Sequence, residues 1–226
     1  MAYESILLDV DDTLLNFKAG QRQAVDKLFR DQGLELTPEM RNLYEAKNHQ
    51  LWSDLEKGLV SREFVLAERF TYIFKEYGLV KDGAAMDQIF RKYLAAETIF
   101  MEGAKAAVKE LAQSHDLYVV TNGVAVTQHS RLANAGLTHY FKGIYISEEV
   151  GYQKPNRQFF DYLFEHSPEI DPNKTLIVGD SLTADIQGGL NAGINTCWYN
   201  PEGLLNSTSV TPTFEINNLN QLKEFV

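Results

Sequence analysis

From Phe100 onward, short apolar runs alternate with amphipathic stretches, and this alternation limits the possible folds more than any other feature of the chain. Leu117-Tyr118-Val119-Val120-Thr121 and residues 143–147, 175–178 and 196–199 have the length and the β-branched or aromatic content of strands. Residues 104–113, 126–135, 158–165 and 184–191 carry helical patterns instead, and Gly136 ends the second of them. Strands separated by helices join as right-handed βαβ units, so the expectation is an α/β fold with a parallel sheet covered on both faces. A first strand stands far upstream, where Ile6-Leu7-Leu8 runs into Asp9-Val10-Asp11-Asp12-Thr13. Residues 200–213 carry several loop formers, and 219–225 can form a last short helix.

The segment between the first strand and Phe100 has a different character. Its pattern is helical throughout. Val25, Leu28 and Phe29 mark one apolar face, Met40, Tyr44, Leu51 and Leu55 a second, and Leu66, Phe70, Ile73 and Tyr77 a third. A fourth helix is expected over 84–96. Gly33 and Gly58 suit helix stops, Pro38 suits a first turn, and Ser61 can cap the next helix. The expected organisation is a core domain of residues 1–16 and 100–226, interrupted by a four-helix bundle over 17–99.

Charge and composition exclude several classes of function. With 21 basic and 31 acidic residues, the net charge of −10 opposes binding to a nucleic acid polymer or an anionic membrane. No apolar run is long enough to span a bilayer, and no basic stretch precedes an apolar one at the N-terminus, so the chain reads as cytoplasmic. The single cysteine, Cys197, rules out an internal disulfide and falls in a predicted strand. The five histidines are scattered, with no pair at metal-ligand spacing.

Four strand ends carry the groups from which chemistry can be built. In an open α/β sheet, ligands bind at the carboxyl ends of the strands, which is where Asp9 and Asp11 fall. Two carboxylates about 4 Å apart repel by roughly 4 kcal/mol at an effective dielectric of about 20, so such a pair needs a cation or a shared proton. Thr121-Asn122-Gly123 follows the next strand and offers a hydroxyl and backbone amides to an anion. Lys154 lies in a polar loop, and Pro155 stiffens it by disfavouring the α conformation before it. Gly179-Asp180-Ser181 ends another strand, with Asp185 just beyond. Taken singly, each of these suits an ordinary turn, helix cap or surface position. Together, the hard oxygen ligands and the lysine suit Mg²⁺ and a phosphate.

In this order and at these strand ends, the motifs resemble those of the haloacid dehalogenase-like (HAD) superfamily of phosphohydrolases over nearly the full chain. Asp9-Val10-Asp11-Asp12-Thr13 looks like the first family motif, Thr121 the second, Lys154 the third, and Gly179-Asp180-Ser181 with Asp185 the fourth. The resemblance implies a Rossmann-like core with an inserted α-helical cap. It also implies a Mg²⁺-dependent phosphomonoester hydrolase working through an aspartyl-phosphate. Asp9 would be the nucleophile and Asp11 the proton donor and acceptor. Mg²⁺ would be held by Asp9, the Asp11 backbone carbonyl and Asp180. Thr121, the Asn122 amide and Lys154 would hold the phosphoryl oxygens, with Asp185 orienting Lys154 or a metal-bound water. An aspartate at position 11 separates this chain from the superfamily's dehalogenases, which lack a carboxylate there, and from its transport ATPases, which carry threonine.

Leu51-Trp52-Ser53-Asp54, Ile146-Ser147-Glu148-Glu149-Val150-Gly151, and the stretch from Asn191-Ala192-Gly193 to Cys197-Trp198 resemble bacterial pyrimidine 5′-nucleotidases that act on noncanonical nucleoside monophosphates. The expected partner is therefore a small phosphorylated metabolite, a nucleoside monophosphate in this reading. Phe17, His49 and Trp52 are candidates to contact its base, whereas Tyr44 is expected to be buried. A sugar-phosphate or phosphoglycolate phosphatase and a hexose-phosphate mutase are the alternatives. A non-enzymatic phospho-binding scaffold finds no support, because every group the mechanism needs is present.

Overall fold

The computed structural model describes residues 3–226 and divides into two compact units: residues up to Lys18 with Thr98–Val226, and Ala19–Glu97. The first unit is built on six parallel strands, β1 (Ser5–Leu8), β2 (Asp116–Thr121), β3 (Phe141–Ile146), β4 (Thr175–Gly179), β5 (Asn195–Tyr199) and β6 (Phe214–Ile216), in the order β3-β2-β1-β4-β5-β6. The helices in chain order are α1 (Phe17–Asp31), α2 (Pro38–Glu56), α3 (Arg62–Glu76), α4 (Gly83–Ala96), α5 (Ala104–Leu111), α6 (Ala125–Asn134), α7 (Ser147–Val150), α8 (Arg157–His166) and α9 (Gln187–Ala192). After β1 the chain runs to β2 and β3 on one side, then returns to lay β4 on the other. The strand order therefore reverses beside β1, where such sheets open a crevice at their carboxyl edge.

Alternation along the strands sorts side chains to two buried faces. Ile6, Leu8, Leu117, Val119, Leu176 and Val178 pack on one side with Ala104, Val108 and Leu111 of α5. Leu7, Tyr118, Val120 and Ile177 pack on the other with Phe159, Phe160 and Leu163 of α8. Cys197 is fully buried in the first of these clusters, where loss of solvent pushes its thiol up to about 12.

Local features of this unit depart from the sequence expectation. β6 is a strand of three residues, Phe-Glu-Ile, and a run that short carries no readable period. The helix expected over 184–191 begins as a π turn at Leu182–Ile186, because the N–H groups of Asp185 and Ile186 both donate to the Ser181 carbonyl, at 3.0 and 3.1 Å.

The second unit packs α1 to α4 around aromatic side chains. Tyr44 stacks on Phe70 at 4.9 Å between ring centroids, and Phe70 meets Phe90 edge-on at 5.4 Å. Thr37, Ser61 and Asp82 cap α2, α3 and α4 by accepting from backbone amides. The buried face of α3 is Val65, Arg69, Phe70, Ile73 and Phe74, not the stripe containing Leu66 and Tyr77, and Tyr77 is exposed. Arg69 explains the rotation. Its guanidinium is drawn inside to pair with the equally buried Asp87 of α4 and to donate to Asn48 of α2, so the residues a turn away from it, 65 and 73, face inward with it.

Candidate active site

The site grows from the end of β1. Asp9 N–H donates to the Val178 carbonyl at 3.0 Å, carrying the pairing with β4 one residue beyond the strand and placing a buried carboxylate at the sheet edge. The chain then turns sharply. Asp12 adopts a left-handed φ of 56°, which a short polar side chain tolerates, and its N–H donates to Leu15 O at 2.8 Å. Thr13 Oγ1 accepts from Asp180 N–H at 3.1 Å, tying this turn to the end of β4.

Lys154 is buried, not the surface lysine its polar loop would suggest. Asn122 holds the loop in place: its Oδ1 accepts from Lys154 N–H at 2.8 Å, and its Nδ2 donates to Lys154 O at 2.9 Å. The Lys154–Pro155 peptide is cis. Lys154 Nζ uses all three donors, to Asp9 Oδ1 at 2.8 Å, Asp185 Oδ1 at 2.5 Å and the Val120 carbonyl at 2.7 Å. Asp185 reaches the lysine across Gly179, and a Cβ at Gly179 would stand 2.2 Å from the Asp185 carboxyl. Its other oxygen accepts from Ser181 N–H at 3.0 Å.

Negative charge is in excess here. An oxygen from each of Asp9, Asp180 and Asp185 lies within 4.8 Å of the other two, and the Lys154 ammonium pairs with Asp9 and Asp185. Burial is the main force pushing the Asp9 carboxyl up to about 8; Lys154 opposes it, while Asp185 and Asp11 add to it. Asp180 is raised well above the usual carboxylate range, first by burial and then by Asp185, Asp9 and Asp12. Burial also works against the charge of Lys154, but Asp185 and Asp9 outweigh it, and the lysine stands above its ordinary value.

Asp11 does not share the cation of Asp9. Its Oδ1 pairs with Arg131 Nη1, and its Oδ2 accepts from Gln128 Nε2 at 3.0 Å, both from α6. Gln128 Nε2 also donates to Thr121 Oγ1 at 2.9 Å. Thr13, Gln128 and Arg131 were not singled out from the sequence. The available signal for the last two was their i, i+3 spacing on the buried face of α6, beside Leu132, where apolar residues are the rule. Of the three residues proposed to contact a base, Phe17 belongs to the same unit as the carboxylates, its ring centroid 5.8 Å from Arg131 Cζ. His49 and Trp52 lie on α2 in the other unit, His49 exposed and Trp52 packed against Leu51, Leu55 and Val65.

Residues 6–199 match the haloacid dehalogenase-like hydrolase family, a span that includes every strand-end motif described above. The chain belongs to the haloacid dehalogenase-like hydrolases. Within this hydrolase family it is similar to Bacillus subtilis YfnB, at 44% identity over 220 residues covering 97% of this chain and 94% of YfnB. The crystal structure of YfnB bound to magnesium matches with a TM-score of 0.94 and 43% identity over 99% of this chain and 98% of that one. The pyrimidine 5′-nucleotidase PynA of Streptococcus pneumoniae is 39% identical over 217 residues, 96% of this chain and 92% of PynA. The pyrimidine 5′-nucleotidase YjjG of Escherichia coli is 30% identical over 226 residues, 100% of this chain and 99% of YjjG. Among the described residues of this haloacid dehalogenase-like hydrolase, no helix is long and apolar enough to cross a membrane.

Proposed function

We propose that this enzyme is a Mg²⁺-dependent phosphomonoesterase that releases phosphate from nucleoside monophosphates, pyrimidine nucleotides foremost. The observation that carries the reading is the meeting of Asp9, Asp180 and Asp185 around buried Lys154 at the carboxyl edge of the sheet. The substrate class is supported by PynA and YjjG, which bear the name pyrimidine 5′-nucleotidase and align over nearly all of this chain.

The residues fit a divalent cation. Three carboxylates meet within 4.8 Å, and two of them, Asp9 and Asp180, are held above their usual range by burial and by neighbouring carboxylates. Asp9 and Asp180, with the Asp11 carbonyl, would hold Mg²⁺. When bound, the ion supplies positive charge that lets an anionic nucleophile approach an anionic ester.

Asp9 attacks phosphorus and forms an aspartyl-phosphate, splitting hydrolysis into two displacements. Lys154 fixes the Asp9 rotamer and contributes charge beside the phosphoryl group. Thr121 Oγ1 already accepts from Gly123 N–H at 3.2 Å and from Gln128 Nε2, so its own proton is directed to a third partner, a phosphoryl oxygen in this reading. Asp11 gives a proton to the leaving alcohol and later takes one from water.

The test is phosphate release with and without Mg²⁺ over a panel of nucleoside monophosphates, sugar phosphates and phosphoglycolate. The expected result is Mg²⁺-dependent release, fastest with pyrimidine nucleoside monophosphates. A uniform preference for sugar phosphates or phosphoglycolate would overturn the substrate class and leave the chemistry standing. Release that ignores Mg²⁺ and chelator would overturn the chemistry as well.

A further inference from the structure

We infer that Arg131 and Gln128 of α6 are positioning residues that hold Asp11 as the base for the second half of the reaction, the breakdown of the phosphoenzyme. The inference rests on the phosphomonoesterase reading above. Arg131 is among the largest fully buried side chains, yet the carboxylate it pairs with is about a third exposed (side-chain exposure 2% against 29%). A buried guanidinium is costly, and an apolar side chain at the same place commonly stabilises a core at least as well. The pair is therefore better explained by what it does to Asp11 than by stability.

The geometry is specific. The two oxygens of Asp11 are gripped separately, Oδ1 by Arg131 Nη1 and Oδ2 by Gln128 Nε2, which fixes both side-chain torsions. Gln128 Oε1 accepts from the same Arg131 nitrogen at 3.0 Å, so its amide cannot flip without losing that bond. Its Nε2 also bonds Thr121 Oγ1, and one planar amide thus sets the distance between the proton acceptor and a hydroxyl assigned to the phosphoryl group. Gly123 makes room for this amide: a Cβ there would lie 2.6 Å from the Gln128 side chain. The Phe17 ring also lies against the guanidinium, its centroid 5.8 Å from Arg131 Cζ. Arg131 and Gln128 both donate to Asp11, so each of its carboxylate oxygens is held in place as an acceptor.

In the step assigned to it, the oxygen of a water attacks phosphorus and the bond from phosphorus to the Asp9 oxygen breaks. The water proton passes to the Asp11 carboxylate, and Asp9 leaves with the electron pair of the broken bond as a free carboxylate. The first half of the reaction can be run without Asp11 by giving the enzyme p-nitrophenyl phosphate, whose phenolate leaves without a proton.

The experiment is rapid mixing of the full-length enzyme and Mg²⁺ with p-nitrophenyl phosphate, for wild type, Arg131→Met, Asp11→Asn and the double variant. The expected result for Arg131→Met is a burst of nitrophenol near one per enzyme, followed by steady turnover roughly ten- to a hundredfold below wild type. In the Asp11→Asn background the same substitution should add less than about twofold, since both act through one group. Arg131→Lys should recover part of the loss. Gln128→Ala should show the same burst with a smaller loss, and it stands in should Arg131→Met fail to fold by circular dichroism. Loss of burst and turnover together, unchanged turnover, or multiplicative losses in the double variant would each overturn the inference. A wild-type enzyme that releases no nitrophenol and no phosphate from any ester would instead overturn the phosphomonoesterase reading, and the inference with it.

Discussion

Asp9 is held in a state that disfavours its own charge, and that cost separates its contribution to stability from its contribution to catalysis. With its carboxyl pushed up to about 8 chiefly by burial, Asp9 must take up a proton for the metal-free chain to fold at neutral pH, and that uptake lowers stability. Asp9→Asn keeps an oxygen that can accept from Lys154 and needs no proton to become neutral. The variant should therefore lose turnover entirely and yet melt at a higher temperature than wild type in chelator, checked by phosphate release and by calorimetry. Residual turnover within tenfold of wild type would remove Asp9 from its role as nucleophile. Lys154 predicts the opposite. Lys154→Met would leave Asp9 and Asp185 buried with no ammonium between them, and breaking a buried pair from one side costs about 3–5 kcal/mol. Urea unfolding at neutral pH should show a loss of that order.

At the scale of elements, two glycines mark places where backbone and side chain come too close for a methyl group. In the π turn after β4, Asp185 swings back over Gly179, and a Cβ there would occupy the position of its carboxyl group at 2.2 Å. Gly179→Ala should expel Asp185 from Lys154 and cost about a hundredfold in kcat, the scale of a displacement of about 1 Å in a reacting constellation. In the helical unit, Gly83 at the start of α4 sits against Thr71 of α3, where a Cβ would meet the Thr71 backbone nitrogen at 2.5 Å. Gly83→Ala should lower stability by roughly 1–3 kcal/mol through overpacking, read from the melting transition, because a backbone atom cannot rotate away as a side chain can. The rotation of α3 belongs to the same scale. Its apolar residues alone allow two neighbouring stripes, and the buried pairing of Arg69 with Asp87 selects the one that carries residue 69.

For the whole molecule, the excess of carboxylates couples stability to pH and to the metal. Asp9 binds its proton up to about 8 in the folded state and releases it near 3.8 when unfolded, so the fold holds more protons than the unfolded chain across that window. Stability without metal should therefore fall as pH rises through it. A divalent cation takes the place of the proton, and the rise in melting temperature on adding Mg²⁺ should be larger at about pH 8 than at about pH 5. An equal shift at both values would show that the ion does not bind at these carboxylates. The parallel sheet was legible in the chain because strand and helix alternate with distinct periods, and Asp9, Thr121, Asp180 and the Lys154 loop stood out because each follows an apolar strand or leads into a helix. Three-residue β6 was not legible, nor was the π turn, because each depends on a few backbone hydrogen bonds that no periodicity reports. The sequence by itself determined which residues stand at the strand ends, since that follows from local pattern. Only the tertiary structure decided how their charges are shared: Lys154 goes to Asp9 and Asp185, while Arg131 and Gln128 go to Asp11. Those partners are separated by up to 145 residues, and pairing over such distances is settled by burial and strand order, which bring together groups that local sequence leaves apart.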